Sequence, residues 1–93
     1  MTRPTSVHAP LTREVIFAQV REILVPFSLI PADEIELRHH LVNDLGFDSL
    51  DVIEAAIEIE EQFDITVPEG EETRQETVGA IVDGVASLLR IEG

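Results

Sequence analysis

The stretch DLGFDSLDVIEAAIEIEEQF, Asp44 to Phe63, places a serine between two aspartates where a long loop turns into a periodic segment. From Ser49 onward, apolar residues recur at the three- and four-residue spacing of an amphipathic helix. Asp48 and Ser49 are both residue types that accept hydrogen bonds from free amides at a helix N-terminus. The stretch therefore predicts a helix over 49–63 and leaves open which residue caps it.

The apolar side chains of this helix fall on two nearly opposite faces. The broad face suits core packing and consists of Val52, Ala55, Ala56, Ile59 and Phe63. The other face, called the apolar stripe below, consists of Leu50, Ile53 and Ile57. The carboxylates that border the apolar stripe are Asp51, Glu54, Glu58 and Glu61. Such a stripe either docks a partner with a matching groove and a basic rim or is covered by the preceding loop, and the acidic border favours docking.

Two further helices are predicted on either side of this segment. The first begins after Thr12, a favourable N-cap, and ends at Val25 because Pro26 disfavours helical geometry in the residue before it. The last begins after Thr77 and again shows helical apolar periodicity. These elements predict an all-α fold.

A connection of roughly 20 residues joins the first two helices, which is long for a compact domain. Its many apolar residues predict that it packs over the helices: Leu29, Ile30, Ile35, Leu37, Leu41, Val42, Leu45 and Phe47. Pro31 to Ile35 could form one helical turn, because proline suits the first position of a helix. His39 and His40 have no third ligand nearby in sequence, so a solvated or capping role is favoured over metal binding.

Composition narrows the classes of function. The 93 residues predict one domain over 11–90 with a flexible tail over 1–10. With 19 acidic and 6 basic residues the formal charge is −13, which argues against nucleic acid and anionic membrane as partners and favours basic protein surfaces. Cysteine is absent, so the chain has no thiol nucleophile of its own. No apolar run approaches the ~18 residues of a membrane span. We expect a soluble, cytoplasmic monomer without membrane insertion.

Ser49 itself fits few kinds of chemistry. A hydrolase nucleophile would need a histidine base and an oxyanion hole, and the stretch lacks the G-x-S-x-G elbow. A calcium loop would need oxygen ligands where this sequence has leucine and phenylalanine. Ser49 could simply cap its helix, but if Asp48 does so the serine is left for another role. Because free amides and the helix dipole favour negative charge, a phosphodiester on Ser49 would be tolerated there.

The segment DLGFDSLD resembles the attachment motif of acyl carrier proteins, in which the serine of a D-S-L triplet bears a 4′-phosphopantetheine arm. The similarity continues through EIEEQFDITVP (58–68) and ETVGAIVD (76–83) and covers roughly 11–89. It implies a small four-helix bundle with a long first loop and a short third helix. It also implies that Ser49 is the attachment point and that the arm supplies a thiol, which carries acyl chains as thioesters. The chain would then be a carrier and not an enzyme, with no metal of its own.

The same resemblance assigns roles around Ser49. It implies that Asp48 and Leu50 belong, with Ser49, to the site that binds the phosphopantetheine arm, and that Asp48 and Asp51 flank this site where the transferase docks. The implied partners are a magnesium-dependent phosphopantetheinyl transferase and acyl-transferring or acyl-modifying enzymes with basic docking surfaces. The residues implied to contact them are Asp51, Ile53, Glu54, Ile57, Glu58 and Glu61. The residues expected at the cavity for the acyl chain are Ala56, Ile59 and Ile81.

The sequence departs from the family pattern between Pro68 and Thr77. Glu72 and Gln75 stand where the family commonly has small apolar and branched aliphatic residues, and Gly70 lowers helix propensity. We therefore expect a loosely packed, mobile third helix over 69–76 and an altered acyl cavity. Together with the absence of lysine and a slightly longer first loop, this suggests a specialised carrier.

Three functions stay open from the sequence. The first is a carrier of acyl intermediates in fatty acid, lipid or polyketide biosynthesis. The second is a close variant that carries peptidyl or aminoacyl groups. The third is a small acidic helical adaptor that binds its partner through the apolar stripe and uses Ser49 only as a cap.

Overall fold

The computed structural model describes residues 11–66 and 77–89. They contain three α-helices: α1 (Arg13–Leu24), α2 (Ser49–Phe63) and α3 (Val78–Leu89). No strand occurs within these two ranges, which confirms the all-α prediction. The short helix expected over 69–76 lies outside the described residues, so the described part of the bundle has three helices where four were predicted.

The ends of α1 follow the sequence signals. Thr12 is the N-cap, and its Oγ1 accepts a hydrogen bond from the Val15 amide at 3.2 Å. The helix stops at Leu24, and a 3₁₀ turn over Val25–Phe27 follows that contains Pro26. Proline lacks an amide proton and cannot continue the hydrogen bonds of the α-helix, which explains the change to a short tight turn. Val25 itself keeps right-handed helical dihedrals, with φ −53° and ψ −45°, so the effect expected on the residue before proline is not seen.

The core lies between the three helices and the loop that joins α1 to α2. Helix α1 packs against both α2 and α3. No polar or charged side chain is buried among the described residues. The buried residues come from all three helices and the loop: Ile16, Val20, Leu24, Ile35, Leu41, Leu45, Phe47, Ala55, Ile59, Phe63, Val78, Ile81, Val82, Val85 and Ala86.

The loop between α1 and α2 is packed, but less completely than predicted. A second 3₁₀ turn covers Ala32–Glu34, which confirms the helical turn expected there. The loop residues buried in the core are Ile35, Leu41, Leu45 and Phe47, and Ile30 is half-buried. The expectation is wrong for Leu29, Leu37 and Val42, which are exposed. The loop runs through short turns, so only one side of it can face the helices.

The loop is also hydrogen-bonded to the start of α3. The Val78 amide donates to the His39 carbonyl at 3.0 Å, and the Gly79 amide donates to the Leu37 carbonyl at 2.8 Å. An isolated antiparallel bridge joins His40 to Thr77. The first amides of a helix have no partners within the helix, so the loop carbonyls supply acceptors that α3 cannot provide.

Both histidines of the loop act on its own turns. His39 Nδ1 accepts the Glu36 amide at 3.0 Å, and His40 Nδ1 accepts the amides of Val42 and Asn43 at 3.2 and 3.1 Å. The capping role predicted for the pair is thus present. Over 11–66 and 77–89, no cluster of three or more potential metal ligands is found. None of the helices in the same ranges is long and apolar enough to cross a membrane.

Candidate functional site

Asp48 caps α2. The Asp51 amide donates to Asp48 Oδ1 at 2.8 Å, and the Asp48 amide donates to Asp51 Oδ2 at 3.1 Å. This reciprocal pair is a capping box in which aspartate takes the place of the usual glutamate at the third helical position. The question that the sequence left open is therefore decided in favour of Asp48.

Ser49 is the first residue of α2 and its side chain is exposed. Its hydroxyl makes no hydrogen bond to any described residue, and the capping box is formed by Asp48 and Asp51. The positive end of the helix dipole favours negative charge at this position. An accessible hydroxyl with no structural task, at a helix N-terminus, fits the oxygen of a phosphate ester.

The apolar stripe lies at the surface. Leu50 is 59% exposed, and Ile53 and Ile57 are each 48% exposed. On the opposite face of α2, Ala55 and Ile59 are only 2% and 3% exposed. The prediction of two faces is confirmed. The sequence also left open that the loop covers the stripe, and this alternative is wrong.

Carboxylates border the apolar stripe as the sequence indicated. Asp51 is half-buried in the capping box, whereas Glu54, Glu58 and Glu61 are exposed. None of the arginines in the described part of the chain pairs with these groups or with Asp48. Arg13 pairs with Asp83, Arg38 pairs with Glu36, and the Arg21 guanidinium lies 4.9 Å from the centre of the Phe17 ring. The surface around Ser49 is therefore strongly negative.

The three residues expected at an acyl cavity are not equivalent in the structure. Ile59 and Ile81 belong to the same buried hydrophobic cluster and are each 3% exposed. Ala56 is half-buried on α2. Only the two isoleucines are thus core residues, and the role of all three in holding an acyl chain stays a prediction.

One feature near Ser49 was missed by sequence reasoning. Gly46 has a φ of +81°, and a Cβ added to it would lie 2.4 Å from Leu29 Cδ1. The side chain of Leu29 thus lies directly on the backbone of Gly46, three residues before Ser49. A glycine in this stretch signals a close approach or a positive φ, but nothing in the sequence identifies which side chain approaches it.

Comparisons with known proteins agree with this geometry. The family model described as "Phosphopantetheine attachment site" matches residues 18–85. The acyl carrier protein of Clostridium acetobutylicum is 36% identical over 69 residues, which is 74% of this chain and 90% of that protein. The acyl carrier protein of Amoebophilus asiaticus is 40% identical over 71 residues, which is 76% of this chain and 89% of that one.

A solved structure of an acyl carrier protein from Enterococcus faecalis, described for its high thermal stability, superposes with a TM-score of 0.72. It is 32% identical, and the match covers 83% of this chain and 98% of that one. The fold, the family model and the relatives thus lead to one assignment. The chain belongs to the acyl carrier protein family, whose prosthetic group is 4′-phosphopantetheine.

Proposed function

We propose that Ser49 carries the 4′-phosphopantetheine arm and that the chain delivers acyl intermediates on it to partner enzymes. The observation that carries the proposal is the capping box of α2. Asp48 and Asp51 form the capping box between them, which leaves the exposed Ser49 hydroxyl outside the cap. A serine that capped the helix would have to give up that hydrogen bond on modification, and this one does not.

The residues around Ser49 fit the group. The Ser49 Oγ would be the ester oxygen, and the positive end of α2 favours the negative charge of the phosphate. Asp48 and Asp51 hold the backbone of the turn through their exchanged hydrogen bonds. The bound group supplies a thiol that holds acyl chains as thioesters, a function that this chain cannot supply because it has no cysteine.

We propose that the partners dock on the apolar stripe. An enzyme with an apolar groove and a basic rim would cover Leu50, Ile53 and Ile57 while its cations meet the acidic border. The border residues proposed to make these contacts are Asp51, Glu54, Glu58 and Glu61. The formal charge of −13 would speed the encounter with a basic surface. The transferase and the acyl-handling enzymes would share this surface, because all of them must reach the arm at Ser49.

The cargo proposed is an acyl chain of fatty acid or lipid biosynthesis, because the curated relatives are named acyl carrier proteins. Polyketide, peptidyl or aminoacyl intermediates are the alternative, since the loading enzyme selects the cargo. We propose that Ala56, Ile59 and Ile81 line the space for the chain. The proposed carrier domain spans 11–90, acts as a monomer without catalytic activity of its own, and works in the cytoplasm, where coenzyme A is available.

Intact mass tests the attachment. The wild-type chain, incubated with coenzyme A, Mg²⁺ and a broad-specificity phosphopantetheinyl transferase, should gain the mass of one phosphopantetheine. Ser49→Ala should gain nothing, and Ser87→Ala, which removes another exposed helical serine, should load like the wild type. An unmodified wild-type chain, or a modified Ser49→Ala chain, would overturn the proposal.

The exposed apolar stripe also suits a simple adaptor, which is the second candidate. The two functions differ in their dependence on the serine. An adaptor would bind its partner equally well after Ser49→Ala, whereas a carrier would stay folded and lose all of its cargo. Analysis of the chain purified from its own cells for a covalently bound arm separates the two directly.

A further inference from the structure

We infer that Leu29 is a second apolar docking contact for the phosphopantetheinyl transferase, on the loop side of Ser49. The enzyme would cover Leu29 and Leu50 together, with an apolar surface flanked by lysine or arginine side chains. The inference rests on the proposed attachment at Ser49 and adds a specific contact outside α2.

Leu29 is unusually exposed for a residue held so firmly. At 80% exposure it exceeds every other large apolar side chain in the described part of the chain. Its amide donates to the Leu45 carbonyl at 2.9 Å. The neighbouring Ser28 hydroxyl accepts the Ile30 amide at 3.0 Å and donates to the Ile30 carbonyl at 2.9 Å. These bonds fix the backbone around Leu29, so its exposure is a property of a defined turn.

Leu29 packs on the backbone of Gly46, which is close in sequence to the attachment site. A Cβ on Gly46 would lie 2.4 Å from Leu29 Cδ1 and 2.6 Å from Leu29 Cγ, so with any other residue here the Leu29 side chain would have to move. Gly46 precedes Ser49 by three residues, a distance of at most about 11 Å for an extended chain. Leu29 therefore lies close enough to Ser49 for one enzyme surface to cover it together with Leu50, and this joint coverage is what the inference asserts.

The charges beside these two leucines define the partner. Asp44 and Asp48 are exposed, and Asp51 is half-buried. The arginines of the described residues are engaged at other positions, with Asp83, with Glu36 and over a phenylalanine ring. Two apolar contacts within a negative field match an apolar surface with a basic rim, and they do not match an acidic or purely polar one.

Transferase kinetics test the inference. Leu29→Lys removes the apolar contact and adds a charge that a basic surface repels, so the KM for loading should rise about tenfold with little change in kcat. Leu29→Met keeps an apolar side chain at this position and should recover most of the loading that is lost in Leu29→Lys. The matched control is Leu88→Lys, which makes the same change at a 40%-exposed leucine of α3 and should also load like the wild type.

Two results would overturn the inference while the attachment at Ser49 stands. One is a KM for Leu29→Lys within twofold of the wild type. The other is an equal rise for Leu88→Lys, which would show a general effect of charge. A wild-type chain that is not loaded at all would remove both the inference and the proposed function, so the two failures are distinguishable.

The inference can also be tested on the wild-type chain, so the result does not depend on whether a variant folds. Methyl NMR spectra recorded while the transferase is added, without coenzyme A, should show shifts for Leu29 and Leu50 and none for Leu88. Shifts for Leu50 without shifts for Leu29 would restrict docking to α2 and contradict the inference.

Discussion

Asp48 and Asp51 exchange two hydrogen bonds across the first turn of α2, at 2.8 and 3.1 Å, and Ser49 lies between them without taking part. The two aspartates therefore have a structural role that is separate from any electrostatic contact with a partner. They hold the turn that presents the serine, and the serine can be modified without loss of the cap.

The first prediction concerns that cap. Asp48→Ala should lower the free energy of unfolding by about 1 kcal/mol, because the Asp51 amide loses its acceptor. Asp48→Asn should keep most of the stability, since asparagine is an equally good N-cap. Urea unfolding measures both. Glu54→Ala, at an exposed position later in the same helix, serves as the control, and an equal loss there would contradict a specific capping role.

The second prediction concerns Ser49 itself. Ser49→Ala should change the free energy of unfolding by no more than about 0.5 kcal/mol, as expected for an exposed side chain without a partner. Urea unfolding beside Asp48→Ala gives the comparison. A loss as large as that of Asp48→Ala would mean that the serine shares the cap.

The third prediction compares two isoleucines on opposite faces of α2. Ile59→Ala should lower the free energy of unfolding by about 2–5 kcal/mol, because it opens a cavity in the core. Ile57→Ala should cost less than about 1 kcal/mol, because Ile57 is 48% exposed and Ile59 only 3%. Similar losses from both variants in chemical denaturation would contradict the two-faced helix.

The loading reaction of these two variants should show the reverse order. Ile57→Ala removes part of the apolar stripe and should raise the KM of the transferase. Ile59→Ala, measured at a temperature where it is folded, should load with a nearly normal KM. An unchanged KM for Ile57→Ala would argue that the enzyme does not use this part of the stripe.

The fourth prediction concerns Gly46. Gly46→Ala should cost about 1–2 kcal/mol, because a residue with a Cβ is strained at a φ of +81°. Gly46→Asn should cost less, since asparagine tolerates positive φ better. Thermal unfolding of the two variants measures the difference, and alanine as stable as asparagine would contradict a conformational cause.

The fifth prediction concerns ionic strength. Because the proposed docking surface is acidic and none of the described arginines pairs with its carboxylates, the KM for loading should rise as NaCl is increased from about 50 to 500 mM. Combining Glu54→Gln with Glu58→Gln should reduce this dependence. A KM that is insensitive to salt would point to docking by apolar contacts alone.

The helix ends could be predicted because their signals are local. Thr12 and Pro26 act within one turn, so the bounds of α1 follow from a few neighbouring residues. The two faces of α2 followed equally well from periodicity, since the direction of each side chain on a helix depends only on its position. The same local chemistry left two residues as possible caps, and only the coordinates decided for Asp48.

The packing of the loop could not be predicted to the same depth. Leu29 and Leu45 are both leucines in one apolar-rich loop, yet one is 80% exposed and the other fully buried. Their difference depends on turns whose course is set by non-local contacts. The acceptors offered to α3 are backbone carbonyls of Leu37 and His39, which every residue type possesses, so no sequence pattern reveals them.

These carbonyls also determine when the loop can complete its hydrogen bonds during synthesis of the chain. On the ribosome, the segment around His39 emerges about forty residues before Val78 and Gly79, the amides that pair with it. Until Thr77 to Gly79 leave the exit tunnel, the loop lacks these bonds and the bridge from His40 to Thr77. A transferase that acts on a nascent chain would therefore meet Ser49 before the loop is bonded to α3. The fully folded chain becomes available to the transferase only after α3 has been synthesised.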